Sequence, residues 1–415
     1  MMMKSTLRHL LLSILALVGV TAAAQETSPY SMIGYGVLND RTTSTQRAMG
    51  GVGYAISGKG KINAKNPASF AAIDSMTFLF DMGVDAGAVL ASEKNLHVTK
   101  PQGGLDYITL QVPIGKWMGA SVGLLPFSSV GYSFGQEVAN GIGSYQGQGG
   151  ISEVYLGWAA RPVKGLTVGV SGGYLFGNVV NDVYATATNG SVSLYERVHK
   201  IRDYNVLFGV QYGIDFKQKN RIKIGATFTL PRKVHGTAYG IRYDVTQGSS
   251  SPEKTPTINL AKSGYDMPWS IGAGLAYEWN DRLLVAADYT FQPWSKSTFP
   301  GIEGFSQAQQ FSNRSKYALG AEFTPSKRGN YFQRMSYRIG GFGARDYMMV
   351  NGNHVNEYGL TCGFGFPTPL RTTVNLGFEY RHRSTTPAAT VTENYYMVTL
   401  GVALNEIWFL PSKIR

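Results

Sequence analysis

A regular alternation of apolar and small residues runs through most of the chain after residue 75, and it restricts the fold more than any other feature. In one stretch Ile271, Ala273, Leu275 and Tyr277 alternate with serine, glycine and alanine. A period of two is that of a β-strand, whose successive side chains point to opposite faces. The pattern recurs in about fourteen stretches, each long enough for a membrane strand, which predicts an all-β fold.

The residues on the two faces distinguish a membrane barrel from a soluble sheet. The polar face is mostly glycine, alanine, serine and threonine, and the chain has 51 glycines and only 15% charged residues. Trp269 and Trp279 bracket the apolar residues between them, as aromatic residues do at lipid interfaces. Backbone groups in lipid must all be paired, so the strands are expected to close into a transmembrane antiparallel β-barrel. With this facing, Leu275→Arg should be costly and Gly274→Ser mild.

Connections of two lengths separate the predicted strands. Short ones, such as residues 113–116 and 280–281, alternate with long ones, such as 181–200 and 293–311. Short periplasmic turns and long outer loops would place both chain termini in the periplasm. The strands are expected near residues 75–88, 103–113, 116–136, 149–160, 165–180, 200–214, 221–245, 257–279, 282–293, 312–325, 331–347, 353–366, 371–384 and 393–405.

The first 24 residues predict an export signal. Lys4 and Arg8 precede an apolar run over residues 10–20, and small residues follow at 22–24. This order is that of a cleaved signal peptide, so the mature chain is expected to begin at Gln25. The apolar run is too short to span a bilayer as a helix. We therefore expect a protein of the outer membrane of a Gram-negative bacterium.

The segment between this signal and the first strand lacks sustained alternation. An irregular stretch of this length is not expected to hang free from a compact fold. It could fill part of the barrel lumen as a plug, with a periplasmic tail as the alternative. The predicted organisation is therefore a signal peptide over 1–24, a plug over 25–74 and the barrel over 75–415.

Several classes of function are not expected. The formal net charge is +12, but the charges are dispersed and form no basic stripe, so no nucleic-acid partner is predicted. The single cysteine, Cys362, excludes an internal disulfide and a multi-cysteine metal site. No histidine has metal-ligand spacing and no nucleophile-elbow motif occurs, so we expect no enzyme, no catalytic residue, no metal and no cofactor.

Charged residues on the polar face carry both signs. An ion-selective constriction would be dominated by one sign. Mixed charges instead predict salt bridges that hold the plug to the wall, and contact of one of the basic residues with a ligand carboxylate stays open. The set is Asp81, Asp85, Lys223, Glu278, Asp288, Glu322, Arg338, Glu379 and Arg381.

The N-terminal part resembles the FadL/TodX family of outer-membrane transporters of hydrophobic compounds, in the manner of its Bacteroidota members. "SPYSMIGYGVL" begins at Ser28, "RAMGGVGYAISG" at Arg47, and "NAKNPASFAAIDS" at Asn63 leads into the first predicted strand. The C-terminal "YYMVTLGVALNEIWF" from Tyr395 is similar to a terminal barrel strand. The resemblance implies fourteen strands, a luminal plug and passage of hydrophobic molecules such as fatty acids or aromatic hydrocarbons.

The "NPA" at Asn66, Pro67 and Ala68 matches a recurring feature of that family's luminal hatch. Pro67 fixes its own φ and biases Asn66 towards an extended conformation. The Asn66 side chain can bond nearby backbone groups, which a buried irregular segment needs. An ordinary turn before the first strand is the alternative.

Pro126 lies inside the third predicted strand, within Leu124, Leu125, Pro126 and Phe127. Proline removes a ladder donor, so this position indicates an edge, a bulge or a break. The resemblance implies a kinked third strand that opens the wall towards lipid, and we expect an apolar ligand pocket beside it. The alternative is that the strand simply ends at Phe127.

The sequence therefore predicts a monomeric, plugged barrel that passes hydrophobic small molecules across the outer membrane without an energy source. Its expected partners are outer-membrane lipid and a hydrophobic ligand. The alternative function is a binding or assembly role in a secretion system, because a sister group of similar architecture serves type IX secretion.

Overall fold

The computed structural model describes residues 28–58, 60–138, 141–188, 191–216, 219–245, 253–254, 258–260, 265–299, 309–369 and 371–407. The predicted signal peptide and the cleavage site before Gln25 lie outside the described residues, as does the end of the C-terminal motif after Ile407. Both remain predictions.

Fourteen antiparallel strands form a closed wall. Each strand pairs with the next along the chain, and the last pairs with the first from Thr77↔Ile407 to Ser92↔Thr392. The predicted strand number and closure are confirmed. The wall strands are β1 Thr77–Glu93, β2 Leu96–Pro113, β3 Met118–Val138, β4 Gly141–Val163, β5 Leu166–Ala187, β6 Val192–Asp215, β7 Arg221–Thr229, β8 Ser270–Trp279, β9 Leu283–Gln292, β10 Arg314–Phe323, β11 Ser336–Val350, β12 Asn353–Pro367, β13 Thr373–Thr386 and β14 Thr392–Ile407.

Shorter elements lie inside this wall or at its rims. The short strands are Val37–Leu38, Arg232–Lys233, Gly236–Val245, Glu253–Lys254, Ile258–Leu260 and Asp266–Met267. The 3-10 helices are Pro29–Met32, Pro67–Ala72 and Trp294–Lys296, and the α-helical turns are Ser44–Arg47 and Tyr331–Arg334. In the described part of the chain, none of these helices has the length and apolar character to cross a membrane.

Strand ends differ from the prediction in two ways. Most of the expected long loops at 92–102, 135–148 and 181–200 continue as paired strand, because pairing does not stop where the apolar pattern weakens. Two predicted strands are shorter than expected, because Pro231 follows β7 and Pro268 precedes β8, where each removes a ladder donor. The separate strand Gly236–Val245 pairs with the first half of β6 instead.

The two faces of the wall are as predicted. On β8, Leu275 is 52% exposed while its neighbour Ala276 is 1% exposed. Cys362 on β12 is exposed with the outward apolar residues. The outward face is therefore the apolar one, and the inward face packs against other protein groups.

Those groups belong to residues 28–76, called the N-terminal segment below. Val52, Ala55, Ala64 and Phe70 are all 0% exposed. The helix Pro67–Ala72 packs on β3 to β6, and the turn Ser44–Arg47 packs on β12 to β14. The segment thus contacts opposite sides of the wall from within.

Candidate functional site

The "NPA" motif is fully buried between the N-terminal segment and the wall. Asn66 caps the helix Pro67–Ala72, and its side-chain oxygen accepts from the Ala68 backbone at 3.0 Å. Its Nδ2 donates to the Tyr54 carbonyl at 2.7 Å and to the carbonyl of Val210 on β6 at 3.2 Å. The motif satisfies its own backbone, as expected for a buried irregular segment, and it also binds the wall.

Inward-facing glycines form a fitted seat around the N-terminal segment. A Cβ on Gly209 would meet Asn66 and Pro67, and one on Gly169 would meet the Pro67 backbone. Because these glycines lack side chains, the segment's backbone can approach the wall closely. Inward glycines at which an added Cβ would come closer than 3.0 Å to the segment lie on ten strands: Gly119, Gly157, Gly169, Gly209, Gly225, Gly272, Gly274, Gly320, Gly340, Gly363 and Gly401.

Gly274 belongs to this seat, so the expectation that serine there would be mild is wrong. A Cβ at Gly274 would meet the Asp288 carboxylate and the Cβ of Tyr54. Asp288 cannot easily move away, because its Oδ2 accepts from the backbone of Gly53 at 2.7 Å and of Tyr54 at 3.1 Å. The period-two pattern identifies the inward face but not what packs against it.

Ion pairs tie the segment to the wall, and Asp85, Asp288 and Glu322 of the predicted set take part in them. Lys65 lies 3.1 Å from Asp288 of β9, with side-chain exposures of 7% and 2%. Among the described residues, the segment-to-wall pairs are Asp40 with Arg314 and Lys316, Arg41 with Glu153, Arg47 with Asp85 and Asp106, Lys61 with Glu322, and Lys65 with Asp288. Two further predicted charges, Lys223 and Glu278, pair with each other within the wall.

The pairs of Asp40 and Lys65 favour the charged forms of these two residues. Burial alone would raise the pKa of the Asp40 carboxyl, but Lys316 and Arg314 hold that pKa well below its usual range. Burial disfavours the charge of Lys65, yet Asp288 raises the pKa of its ammonium group above the usual value. Moving the segment would therefore separate buried charges, which is costly.

One junction of the wall is incomplete. Strands β2 and β3 pair only from Pro113↔Gly119 to Ile108↔Leu124. Beyond this point residues 96–107 and 125–138, all of them described, form no ladder with each other. We call this stretch the wall gap. Leu124 is thus the last residue of β3 paired with β2, which is where the sequence predicted the ladder to fail.

Bulges and prolines border the wall gap on both sides. Asp106 is an extra residue on β2, and Phe127 is an extra residue on β3. Bulges bend a strand and increase its twist, so they lead the two strands apart. Each of the two strands has a proline in its unpaired stretch, Pro101 on β2 and Pro126 on β3. Proline is tolerated there because a strand edge needs no ladder donor. The sequence gives no signal at Pro101, because residues 92–102 lack clear alternation and are predicted to form a loop.

Beyond Leu124, the edge of β3 that no longer pairs with β2 pairs with the N-terminal segment instead. Val37 pairs with Ser129 and Leu38 with Ser128. The backbone N–H of Asn39 donates to the backbone carbonyl of Phe127 at 2.9 Å. The edge of β3 thus has backbone partners although it has left β2, as any strand edge in a membrane wall needs.

A cavity of about 110 Å³ lies inside the barrel beside Phe127. Apolar side chains form part of its lining: Leu38, Phe127, Leu207, Met267 and Trp294. Charged side chains form another part: Asp40, Arg41, Lys65, Glu153, Arg232 and Arg314. The sequence predicted an apolar pocket here, whereas the observed lining is amphipathic because the ion pairs of the segment border it.

The structure separates the four residues singled out around Pro126. Leu124 is part of the paired wall, and Leu125 is 2% exposed in an inner cluster with Phe70 and Tyr107. Pro126 lies at the bulge, and Phe127 alone of the four lines the cavity. They border the wall gap together but do not line one pocket.

Above the cavity, at the end of the barrel opposite Thr77 and Ile407, aromatic side chains pack into a buried cluster. Trp294 lies 4.5 Å from Tyr347 between ring centroids, and Tyr35 of the segment packs edge-on against Phe299 at 5.2 Å. The cluster includes Tyr30, Tyr35, Tyr265, Trp294, Phe299, Phe311 and Tyr347. In the part of the chain that the structure describes, no group of three or more potential ligands could hold a metal ion.

Comparisons with known proteins fit this geometry. The family model described as BamG matches residues 2–415. No curated protein matches the sequence. The BamG family differs in name from the FadL/TodX family that the N-terminal motifs resemble.

Solved structures share the fold at low sequence identity. The Pseudomonas putida toluene transporter TodX is 14% identical, with a TM-score of 0.60 over 90% of this chain and 99% of that chain. The Ralstonia pickettii toluene transporter TbuX is 16% identical, with a TM-score of 0.56 over 89% and 99%. A Pseudomonas aeruginosa FadL homologue is 10% identical, with a TM-score of 0.61 over 89% and 98%. At these identities the likeness is one of fold.

Proposed function

The chain belongs to the BamG family, and from that premise and its fold we propose that it is an outer-membrane barrel through which hydrophobic small molecules pass sideways into the membrane. The observation that carries the proposal is the wall gap between β2 and β3. A continuous ladder between two strands excludes passage between them. Between β2 and β3 the ladder stops at Ile108↔Leu124.

The N-terminal segment acts as the plug in this proposal. Its glycine seat and its buried ion pairs oppose a straight path along the barrel axis. On the segment, Val37 and Leu38 border the wall gap at β3, and Arg47 borders it through its pair with Asp106 of β2. A route through the gap can leave the contacts of the segment with the other strands in place. Both chain termini would then be periplasmic, with the aromatic cluster on the outer side.

In this proposal, the cavity beside Phe127 is an intermediate binding site on the route. Its volume of about 110 Å³ suits a small compound better than an extended long-chain fatty acid. The aromatic cluster above it offers apolar contact on the way in, and burial from water drives the transfer at about 0.8 kcal/mol per methylene group. The flow is passive and follows the concentration gradient into lipid.

Pro126→Ala tests the route. Alanine restores a backbone donor at the bulge and favours a regular strand, which should narrow the gap. Uptake of radiolabelled toluene and of radiolabelled oleate is measured in cells that carry wild-type protein, the variant or no protein. We expect uptake above the empty control for wild type, more for toluene than for oleate, and a severalfold loss in the variant.

Pro113→Ala is the matched control, because Pro113 is paired at the opposite end of the same junction. It should leave uptake unchanged, and heat-modifiable mobility on gels confirms that each barrel is assembled. Equal uptake by cells with and without the wild-type protein would contradict the transport proposal.

A binding or assembly role in secretion is the second candidate. The observation that favours it is the close fit near Asp40, Arg47 and Lys316, where the cavity that these residues border measures about 50 Å³. Under this proposal the plug stays fixed and the rim of the barrel contacts a protein. A photo-crosslinking residue in place of Tyr239, on the rim strand Gly236–Val245, should then give a discrete adduct in cells.

A further inference from the structure

The outward face of β11 carries a furrow one strand wide. Gly341 pairs with Leu319 of β10 and with Leu360 of β12, while Gly343 pairs in the same way with Tyr317 and Tyr358. The four flanking side chains are all at least half exposed, and they rise on both sides of the two glycines. A Cβ at Gly343 would meet no atom closer than 4.0 Å, so the space over it is open.

The furrow belongs to a larger outward concavity. That concavity has a volume of about 1200 Å³ and extends across β12 and β13 to Tyr396 and Val398 on β14. Ile339, 66% exposed, continues β11 below the glycines. The furrow thus opens away from the lumen, and it is apolar throughout its length between Ile339 and Gly343.

One end of the furrow is positively charged. Arg345 follows Gly343 on the same outward face and is exposed. Among the described residues it has no carboxylate partner. Its ladder neighbours are Ser315 and Asn356, which are uncharged. The nearest acidic residues of β11 and β12 point inward, where Asp346 lies near Arg314 and Glu357 pairs with Arg383.

Aromatic residues indicate the depth of this end in the membrane. Tyr289, Tyr317, Gly343 and Tyr358 form one row across β9 to β12. Tyrosines of this kind mark the lipid interface of a barrel. Gly343 is a break in the row, so a chain can pass from the apolar furrow to the level of lipid headgroups, where Arg345 lies.

We propose that the furrow binds one acyl lipid with an anionic phosphate headgroup. One acyl chain lies over Gly341 and Gly343 between the two walls, and the phosphate is bound by Arg345, with Asn356 at the same level. A guanidinium suits phosphate because it donates two parallel hydrogen bonds. This site is independent of the wall gap, which lies on other strands, and of the transport proposal.

Native mass spectrometry of the full-length protein tests the site. The protein is purified in detergent and supplemented with phosphatidylglycerol or with phosphatidylcholine of the same acyl chains. We expect one phosphatidylglycerol to remain bound at an activation energy that strips the other lipids, with about fivefold more retained than phosphatidylcholine. Arg345→Gln should abolish this preference, and because the residue is exposed the variant should fold.

Gly343→Leu fills the furrow and should reduce retention of both lipids. Ala273→Leu, which adds three carbon atoms on the outward face of β8 where Gly343→Leu adds four, is the matched control and should retain them as wild type does. Equal retention of the two lipids by wild type, or equal loss in Gly343→Leu and Ala273→Leu, would overturn the proposal. Either result would indicate lipid that merely surrounds the barrel, and neither bears on uptake through the wall gap.

Discussion

Two junctions of the same wall are built in opposite ways. β8 and β9 pair without interruption from Ile271↔Phe291 to Trp279↔Leu283. β2 and β3 are longer, 18 and 21 residues against ten each, yet they pair only next to their connecting turn. A shortage of strand residues therefore does not explain the gap. The difference lies in the bulges and prolines that β8 and β9 lack.

The N-terminal segment also treats the two junctions differently. Behind β8 and β9 it is locked by the Lys65–Asp288 pair and by contact of Tyr54 with Gly272 and Gly274. At β3 it adds a short strand to an edge that would otherwise lack partners. One segment thus packs inside the barrel behind β8 and β9 and also provides backbone partners for the open edge of β3.

The largest expected effect comes from breaking the lock behind the continuous junction. Lys65→Met leaves the Asp288 carboxylate buried without its cation, which should cost about 3–5 kcal/mol of unfolding free energy. Chemical denaturation in detergent measures it. Lys219→Met removes one partner of the exposed Lys219–Asp281 pair, 3.9 Å apart, and should cost less than about 1 kcal/mol. Equal costs would mean that the segment is not locked.

Leu275→Arg tests the continuous junction from its outward side. An arginine near the bilayer midplane should cost about 2–4 kcal/mol of folding free energy, and less nearer an interface. Folding into lipid vesicles from urea measures the cost. Leu275→Met keeps an apolar chain and serves as control. A neutral effect of the arginine would contradict the facing of β8.

A smaller loss of stability is expected when a methyl group is added to a glycine that packs against the segment. The comparison is with a glycine on the outward face of the same strand. Gly340→Ala forces a methyl group against the Met49 backbone and should cost about 1–3 kcal/mol. Gly343→Ala points into open space and should be close to neutral. Thermal unfolding of the two variants decides it, and equal stability would mean that the segment is loosely seated.

The sequence predicts the strands of the barrel wall better than the packing of the N-terminal segment inside it. Alternation alone predicts β9, the second half of the expected strand 257–279, which is β8, and the facing of Leu275, because the period of a strand is a local property. The mixed charges predict salt bridges, but not that Lys65 reaches Asp288, since that pairing depends on how the chain crosses the lumen. Gly274 was misjudged for the same reason: a glycine packed against Tyr54 and one facing open space look alike in sequence.

The sequence predicts the β3 side of the wall gap but not the β2 side. Pro126 pointed to it because a proline within a strand pattern signals lost pairing. Pro101 lay in a stretch without clear alternation, and its role depends on pairing with β1 on one side only. The short strand Val37–Leu38 gave no periodic signal, since two residues are too few for one.

Lipid contact from inside the gap tests the central claim most directly. A photo-crosslinking phenylalanine analogue replaces Phe127, and in a second variant Leu284, which faces inward behind the continuous β8–β9 junction. Both proteins are reconstituted with radiolabelled phospholipid, irradiated and separated on denaturing gels. We predict a labelled lipid adduct from position 127 and none from position 284. Absence of an adduct at 127, or equal adducts at both positions, would contradict a wall that is open between β2 and β3 and closed between β8 and β9.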